Sequence, residues 1–210
     1  MGMQKIMFND KCYLTHDVLM RLKNQTRRVI PEKILDKFER LRQTYMNSTA
    51  LCDVPIIPPK LEDLSPYKVG DEIAIAQSYF DIYMQIPEHS RDKYTEDVSR
   101  KAGWHNKMFV KAEDMPHRIR ITKVRAQHLQ DISDEDCLAE GIRKIEDCLA
   151  EGVRKVFFGA RGGYAFHYGD KLEVFDEPRV AYAKLIDKVG KKGTWDSNPM
   201  VYAYDFELIK

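Results

Sequence analysis

Apolar and polar positions alternate in several parts of this 210-residue chain, which is the pattern of a half-buried β-strand. The clearest case is residues 72–79, where Ile73, Ile75 and Tyr79 fall on alternate positions. Strands are therefore predicted there and in four other places. These other predicted strands are residues 5–8, 108–110, 117–124 and 200–209.

A longer period, close to the 3.6 residues of a helical turn, predicts three helices. The first begins with Thr15 as its cap and carries an apolar face as far as Leu22. The second begins at Pro31, whose fixed φ suits the first turn of a helix. The third begins near Pro178 and ends at Gly190. The apolar face of the second helix consists of Ile34, Phe38, Leu41 and Tyr45.

Residues 135–144 recur as residues 146–155, with one substitution between the two copies. Eleven residues are close to three helical turns, so the duplication keeps the apolar face in phase. Gly141 and Gly152 tend to end a helix, and Ser133 is a suitable first cap. The repeat therefore predicts two short helices, because two copies are too few for a solenoid.

The order of these elements predicts the fold class. Five or six strands are interrupted by helices without a regular strand-helix-strand alternation, which favours an α+β pseudo-barrel with flanking helices. The length suits a single domain over residues 1–210. Within it, residues 32–65 form a helical and proline-rich insertion, and residues 135–155 form the duplicated helical segment.

Composition and charge narrow the function classes. A net charge of +1 gives no overall basic field, so any nucleic-acid binding has to come from a local patch. No apolar run has the roughly 20 residues needed to span a bilayer, and the N-terminus lacks an apolar core of signal-peptide length. A cytoplasmic protein without a membrane role is expected. No metal site, disulfide framework or other cofactor is expected from the spacing of Cys12, Cys52, Cys137 and Cys148.

A dense basic motif, residues 23–28 (Lys-Asn-Gln-Thr-Arg-Arg), lies between two apolar stretches. Its guanidinium groups offer planar, forked donors, and Lys23 offers a mobile point charge. One interpretation is a pocket or groove that binds an anionic or acceptor-rich ligand. The other is a solvated group of surface charges, and the motif taken alone favours this second interpretation.

Four motifs in order resemble an ASCH domain, in particular its phage and prophage members. They are Lys-x-x-Thr-Arg-Arg at 23–28, Lys-Val-Gly-Asp at 68–71, Pro-His-Arg-Ile-Arg-Ile-Thr-Lys-Val-Arg at 116–125, and Leu-Gln-Asp-Ile-Ser-Asp-Glu-Asp-Cys-Leu-Ala-Glu-Gly-Ile at 129–142. The resemblance covers most of the chain except residues 32–65 and the second repeat copy. It implies a PUA-like β-barrel whose cleft, lined by the basic motif, binds RNA or a nucleoside-like ligand.

The same resemblance suggests a reaction. Some small bacterial ASCH proteins are amidohydrolases that remove the acetyl group from acetylcytidine with a Lys, a Thr and a Glu. Lys23 and Thr26 match the first two, Glu140 fits the third, and the duplication makes Glu151 a rival. A desolvated lysine can act as a base, a threonine as a nucleophile and a carboxylic acid as a proton shuttle.

The chain also departs from the family pattern. Arg21 replaces a small residue, Asn24 replaces a hydroxyl, and Gln77 stands where many phage relatives have a Glu. RNA or nucleoside binding is therefore the first functional hypothesis, and amide hydrolysis is the alternative. Glu140 and Trp195 also suit purely structural roles, as a helix-surface charge and a core aromatic. The predicted ligand-binding side chains are Arg27, Arg28, Gln77, Tyr79, Trp104 and Trp195.

Overall fold

The computed structural model describes residues 2–49, 57–91, 98–150 and 162–209 and shows an α+β fold with two sheets. Its strands are β1 (Lys5–Ile6), β2 (Gln25–Val29), β3 (Glu72–Ile75), β4 (Arg118–His128), β5 (Arg143–Lys144), β6 (Tyr164–Tyr168), β7 (Lys171–Phe175) and β8 (Met200–Leu208). Its α-helices are α1 (Leu14–Leu19), α2 (Glu32–Thr49), α3 (Tyr79–Gln85), α4 (Asp134–Ala139), α5 (Ile145–Ala150) and α6 (Pro178–Val189).

The larger sheet has the strand order β1-β3-β4-β8-β2. β1 runs parallel to β3, and the other neighbours are antiparallel. β4 pairs with β8 along most of its length, and a bulge between Ile121 and Lys123 shifts the register. The smaller sheet is the antiparallel set β5-β6-β7. β1 and β2 are therefore the two edges of the larger sheet.

The described strands do not form a closed barrel, because β1 and β2 have no strand pairing with each other. The two edges nevertheless line one groove, to which β1 contributes Ile6 and β2 contributes Arg28 and Val29. The guanidinium of Arg28 also donates to the carbonyl of Met7, directly after β1. The α+β class is confirmed, whereas the barrel that the resemblance implies is not.

One apolar core lies between the larger sheet and helices α1, α4 and α6. The sheet contributes Ile73, Ile75, Ile119 and Ile121, all buried, as the alternation in the sequence predicts. A second, smaller cluster lies beyond β3 and includes Tyr79 and Met115. None of the helices in the described ranges combines the length and apolarity needed to cross a membrane.

Three local predictions are wrong. α1 has Tyr13 as its N-cap and ends at Leu19 rather than reaching Leu22, and Thr15 instead donates its hydroxyl to Asp10. The strand predicted over 72–79 ends at Ile75, because Ser78 and Asp81 form a capping box that begins α3. The strand predicted at 108–110 is part of a 3₁₀ helix, Lys107–Phe109.

Candidate functional site

The centre of the candidate site is an ion pair between Lys23 and Glu140. The Lys23 Nζ atom lies 2.6 Å from Glu140 Oε2 and 2.6 Å from the Glu140 backbone oxygen. Both residues are buried, with 2% of Lys23 and 4% of Glu140 exposed. The pair therefore joins the start of β2 to the end of α4 in a medium that screens charge weakly.

Local chain geometry places Glu140 at this position. Ser133 caps the start of α4 by accepting from the backbone N–H of Asp136, as predicted. Gly141, at φ +103°, ends the helix, with hydrogen bonds from Gly141 to Leu138 and from Ile142 to Cys137. These two bonds form a Schellman motif. Glu140, as the last residue before the turn, points towards the sheet.

The other half of the pair is held by the turn that precedes β2. The backbone N–H groups of Leu22 and Lys23 donate to the Asp17 carbonyl, and Asn24 donates to the Ala139 carbonyl. Arg21 has φ +60°, the left-handed region that favours glycine. The turn conformation that suits a small residue is therefore present despite the arginine.

Arg27 belongs to the same network and is buried. Its Nη1 atom donates to Glu140 Oε1 at 3.1 Å and to the Gln25 side chain, and its Nη2 atom donates to Asp136 Oδ2 at 2.5 Å. Burial alone would lower the pKa of Arg27, but Glu140 and Asp136 raise it. Arg27 is thus bonded to internal acceptors through both terminal nitrogens, so the phosphate contact predicted for it is not available in this arrangement.

Burial shifts two nearby acid-base groups. It lowers the pKa of the Lys23 ammonium, although the neighbouring Glu140 partly offsets this effect. It raises the pKa of the Asp17 carboxyl to about 6, against smaller opposing effects from His16, Arg143 and Lys23. Lys23 therefore loses its proton more readily than an exposed lysine does.

A small pocket adjoins the Lys23–Glu140 pair and is also lined by Thr26. Its volume is about 30 Å³, which corresponds to two or three water-sized groups. α6 covers it with a stripe of side chains at positions 182, 185, 186 and 189, which follow the helical period. One of them, Tyr182, is 1% exposed, and its hydroxyl has no hydrogen-bond partner among the described residues.

A larger groove of about 460 Å³ lies next to the small pocket, and Met7 and Arg28 line both. Three tyrosines form much of its wall, and their hydroxyls bond to the protein rather than to each other. These hydroxyl contacts are Tyr67 to the Lys5 carbonyl at 3.3 Å, Tyr202 to the Leu61 carbonyl at 3.0 Å, and Tyr204 with the Ser65 hydroxyl at 2.7 Å. The hydroxyls are therefore already occupied. Tyr202 and Tyr204 are buried, so the half-buried Tyr67 is the ring that a ligand in the groove can contact.

The predicted site residues are only partly brought together. Lys23, Thr26, Glu140, Arg27 and Arg28 all line the small pocket. The rival Glu151 lies outside the described residues.

The other predicted binding residues lie elsewhere. Gln77 is buried after β3, and Tyr79 and Trp104 belong to the second apolar cluster, where the Tyr79 hydroxyl donates to Asp114. Trp195 does not line the small pocket, but its ring packs edge-on against Tyr182 at 6.1 Å. The aromatic residues predicted to stack on a base are therefore not grouped around Lys23.

Comparisons with known proteins add no relative. No protein-family model, curated protein or solved structure matches the chain.

Two residues of the site were missed by the sequence analysis although the sequence contains a signal for each. Asp136 precedes Glu140 by four positions and so shares its helix face. Tyr182 lies three and four positions before two apolar residues of α6, Leu185 and Ile186, on the face predicted to be buried. Neither signal shows that Asp136 binds Arg27 or that Tyr182 reaches the pocket.

The chemistry available in the pocket is that of a base, a nucleophile and an acid. Lys23 and Glu140 are close enough to exchange a proton, and Thr26 supplies a hydroxyl. No set of three acidic, histidine or cysteine side chains in the described ranges is arranged to hold a metal ion.

Proposed function

We propose that the protein removes a small acyl group from the exocyclic amide of a modified nucleoside such as acetylcytidine. The observation that carries this proposal is the buried contact of Lys23 with Glu140 at 2.6 Å beside a pocket that Thr26 lines. The resemblance to ASCH amidohydrolases in these three residues supports it. The PUA-like fold is part of the same proposal, supported by the two sheet edges that line one groove.

The proposed reaction has two stages. The Thr26 oxygen attacks the acyl carbon while the neutral Lys23 amine takes the hydroxyl proton. Lys23 passes this proton to the Glu140 carboxylate, which delivers it to the leaving nitrogen as the C–N bond breaks. Water then attacks the acyl-threonine, and the proton that it gives to Glu140 passes through Lys23 to the Thr26 oxygen. The products are the free nucleobase amine and a carboxylic acid, and all three side chains are regenerated.

The two cavities divide the proposed substrate between them. A pocket of about 30 Å³ suits an acetyl group and is too small for a ring. The groove of about 460 Å³ is large enough for a nucleoside, and the half-buried ring of Tyr67 lines it. The proposal therefore specifies a small acyl group on a planar ring.

Acetylcytidine is expected to be deacetylated, with kcat/KM rising as the pH rises through the lowered pKa of Lys23, because the base has to be neutral. Benzoylcytidine should react about 5- to 150-fold more slowly, since overfilling a packed pocket costs about 1–3 kcal/mol. Chromatographic measurement of released cytidine checks both expectations.

Thr26→Val tests the nucleophile in that assay, because valine keeps the shape of threonine and removes the hydroxyl. Turnover should disappear while the thermal unfolding curve stays cooperative. The proposal is contradicted if Thr26→Val hydrolyses acetylcytidine as fast as wild type does. It is also contradicted if the acetyl and benzoyl substrates react at equal rates.

A second candidate function, RNA or nucleoside binding without chemistry, is favoured by a basic stripe beside the groove. Lys33, Lys37 and Arg40 are exposed at positions i, i+4 and i+7 of α2 and so share one face. Lys33 also lines the tyrosine groove. Cations next to the half-buried ring of Tyr67 suit a single strand, with phosphates on the stripe and a base in the groove.

Replacing the three stripe residues by glutamine (Lys33→Gln, Lys37→Gln and Arg40→Gln) is expected to weaken binding of an oligouridine strand. Losing up to three phosphate contacts should reduce the salt dependence, the slope of log K against log salt, by up to about 2. Fluorescence anisotropy over a range of salt concentrations measures both the affinity and the slope.

The matched control removes three other exposed cations through Lys171→Gln, Lys191→Gln and Lys192→Gln. Both triple variants change the net charge equally, so a general charge effect would weaken them alike. The second candidate function fails if the two variants bind equally, or if wild type shows no salt-dependent binding.

A further inference from the structure

Tyr182 stands out among the buried tyrosines next to the two cavities. Its hydroxyl is buried, and no hydrogen-bond partner for it exists among the described residues. Tyr202 and Tyr204, which line the neighbouring groove, both have hydroxyls in hydrogen-bond contact with protein groups. A buried hydroxyl without a partner costs about 1–3 kcal/mol, so its retention calls for an explanation.

The position of Tyr182 suggests what its hydroxyl does. Tyr182 lines the small pocket together with Lys23, Thr26 and Glu140. Its ring is held from behind by Trp195 at 6.1 Å, and it lies within α6, which fixes its direction. The Arg27 guanidinium, which interacts with the Tyr182 phenol, can only donate a hydrogen bond. The phenolic O–H therefore has no acceptor among the described residues and is available to a ligand in the pocket.

Building on the proposed hydrolase function, we propose that Tyr182 is a catalytic residue that donates a hydrogen bond to the acyl oxygen of the substrate. That oxygen gains negative charge when the Thr26 oxygen attacks, and an oriented donor in a dry pocket stabilises it. The carbon-oxygen π electrons move onto this oxygen and return when the C–N bond breaks, while the phenolic proton stays on Tyr182.

The electrostatic surroundings agree with a neutral donor. Burial raises the pKa of the Tyr182 phenol well above its usual value, and the carboxylate of Glu140 adds to this effect, against a smaller opposing effect of Arg27. The hydroxyl therefore keeps its proton throughout the working pH range. Arg27, and Lys23 once it has taken the Thr26 proton, are cationic neighbours of the pocket and favour negative charge on the substrate oxygen.

Tyr182→Phe is the test, because it removes only the hydroxyl. In the acetylcytidine assay, kcat should fall about 100-fold with little change in KM, as expected for a donor that acts mainly in the transition state. Chemical denaturation should show unchanged or higher stability, because an unpaired buried hydroxyl has been removed. A purely structural tyrosine would not produce this combination.

Tyr164→Phe serves as the control, since Tyr164 lies in β6 of the smaller sheet and does not line the small pocket. A kcat for Tyr182→Phe within about twofold of wild type would overturn the role of Tyr182 and leave the hydrolase intact. A loss of kcat together with a large loss of stability would also overturn it. Absence of wild-type turnover would instead remove the hydrolase function, and the role of Tyr182 with it.

Discussion

Glu140→Gln is expected to lower the free energy of unfolding by about 3–5 kcal/mol, because it removes the carboxylate that two buried cations share. Lys23 would lose its charged partner at 2.6 Å, and Arg27 would lose one of its two, at 3.1 Å. The intact network is neutral overall, since three cations face three carboxylates, and the substitution leaves one cation in excess. These six residues are Lys23, Arg27, Arg125, Glu140, Asp136 and Asp205.

Denaturant unfolding of Glu140→Gln, with Glu135→Gln as control, measures this effect. Glu135 is exposed on the same helix, so its substitution should cost only a few tenths of a kcal/mol. The double variant Lys23→Met with Glu140→Gln should lose less stability than the sum of the single variants. Equal effects of Glu140→Gln and Glu135→Gln would show that the buried pair does not contribute as described.

Gly141→Ala is expected to lower the free energy of unfolding by about 2–4 kcal/mol through two separate effects. At φ +103° an alanine is strained, and its Cβ would lie 3.3 Å from Leu14 Cδ2 in a packed region. The same Cβ would approach Asp17 Oδ2 at 3.5 Å and Lys23 Cδ at 3.6 Å. The substitution should therefore disturb the turn that places Glu140 beside Lys23.

Gly70→Ala separates the two effects, because Gly70 has a similar φ of +92° and open space around its Cβ position. It should cost about 1–2 kcal/mol from backbone strain alone. The difference between the two variants in the free energy of unfolding then measures the effect of crowding at Gly141. If Gly70→Ala were as destabilising as Gly141→Ala, close packing behind Glu140 would not be supported.

The sequence pattern predicted those elements whose apolar period is long. β4, β8 and α6 lie where alternation or the helical period indicated, and α2 follows Pro31. Short signals failed where a local hydrogen bond competed with the pattern. Ser78 and Asp81 start a helix within an alternating run, and the three apolar residues at 108–110 were too few to define a strand.

The site was predictable in its residue types but not in its arrangement. The basic motif was not assigned to a strand, because three of its charged side chains are wholly or partly buried in β2 or just before it. The acidic partners of Lys23 and Arg27 come from α4 and its C-terminal end, 109 to 117 residues later in the chain. Composition near the motif therefore cannot show that these charges are neutralised. The resemblance supplied Glu140, while Tyr182 emerged only from the packing of α6.

Release of cytidine from acetylcytidine by wild type and by Lys23→Met tests the central claim most directly. Lys23→Met suits this test because Glu140 keeps Arg27 as its partner at 3.1 Å, so the fold should survive and can be checked by circular dichroism. We predict turnover by wild type and a loss of at least about 100-fold in the folded variant. No turnover by wild type, or equal rates in the two proteins, would contradict catalysis by the Lys23, Thr26 and Glu140 site.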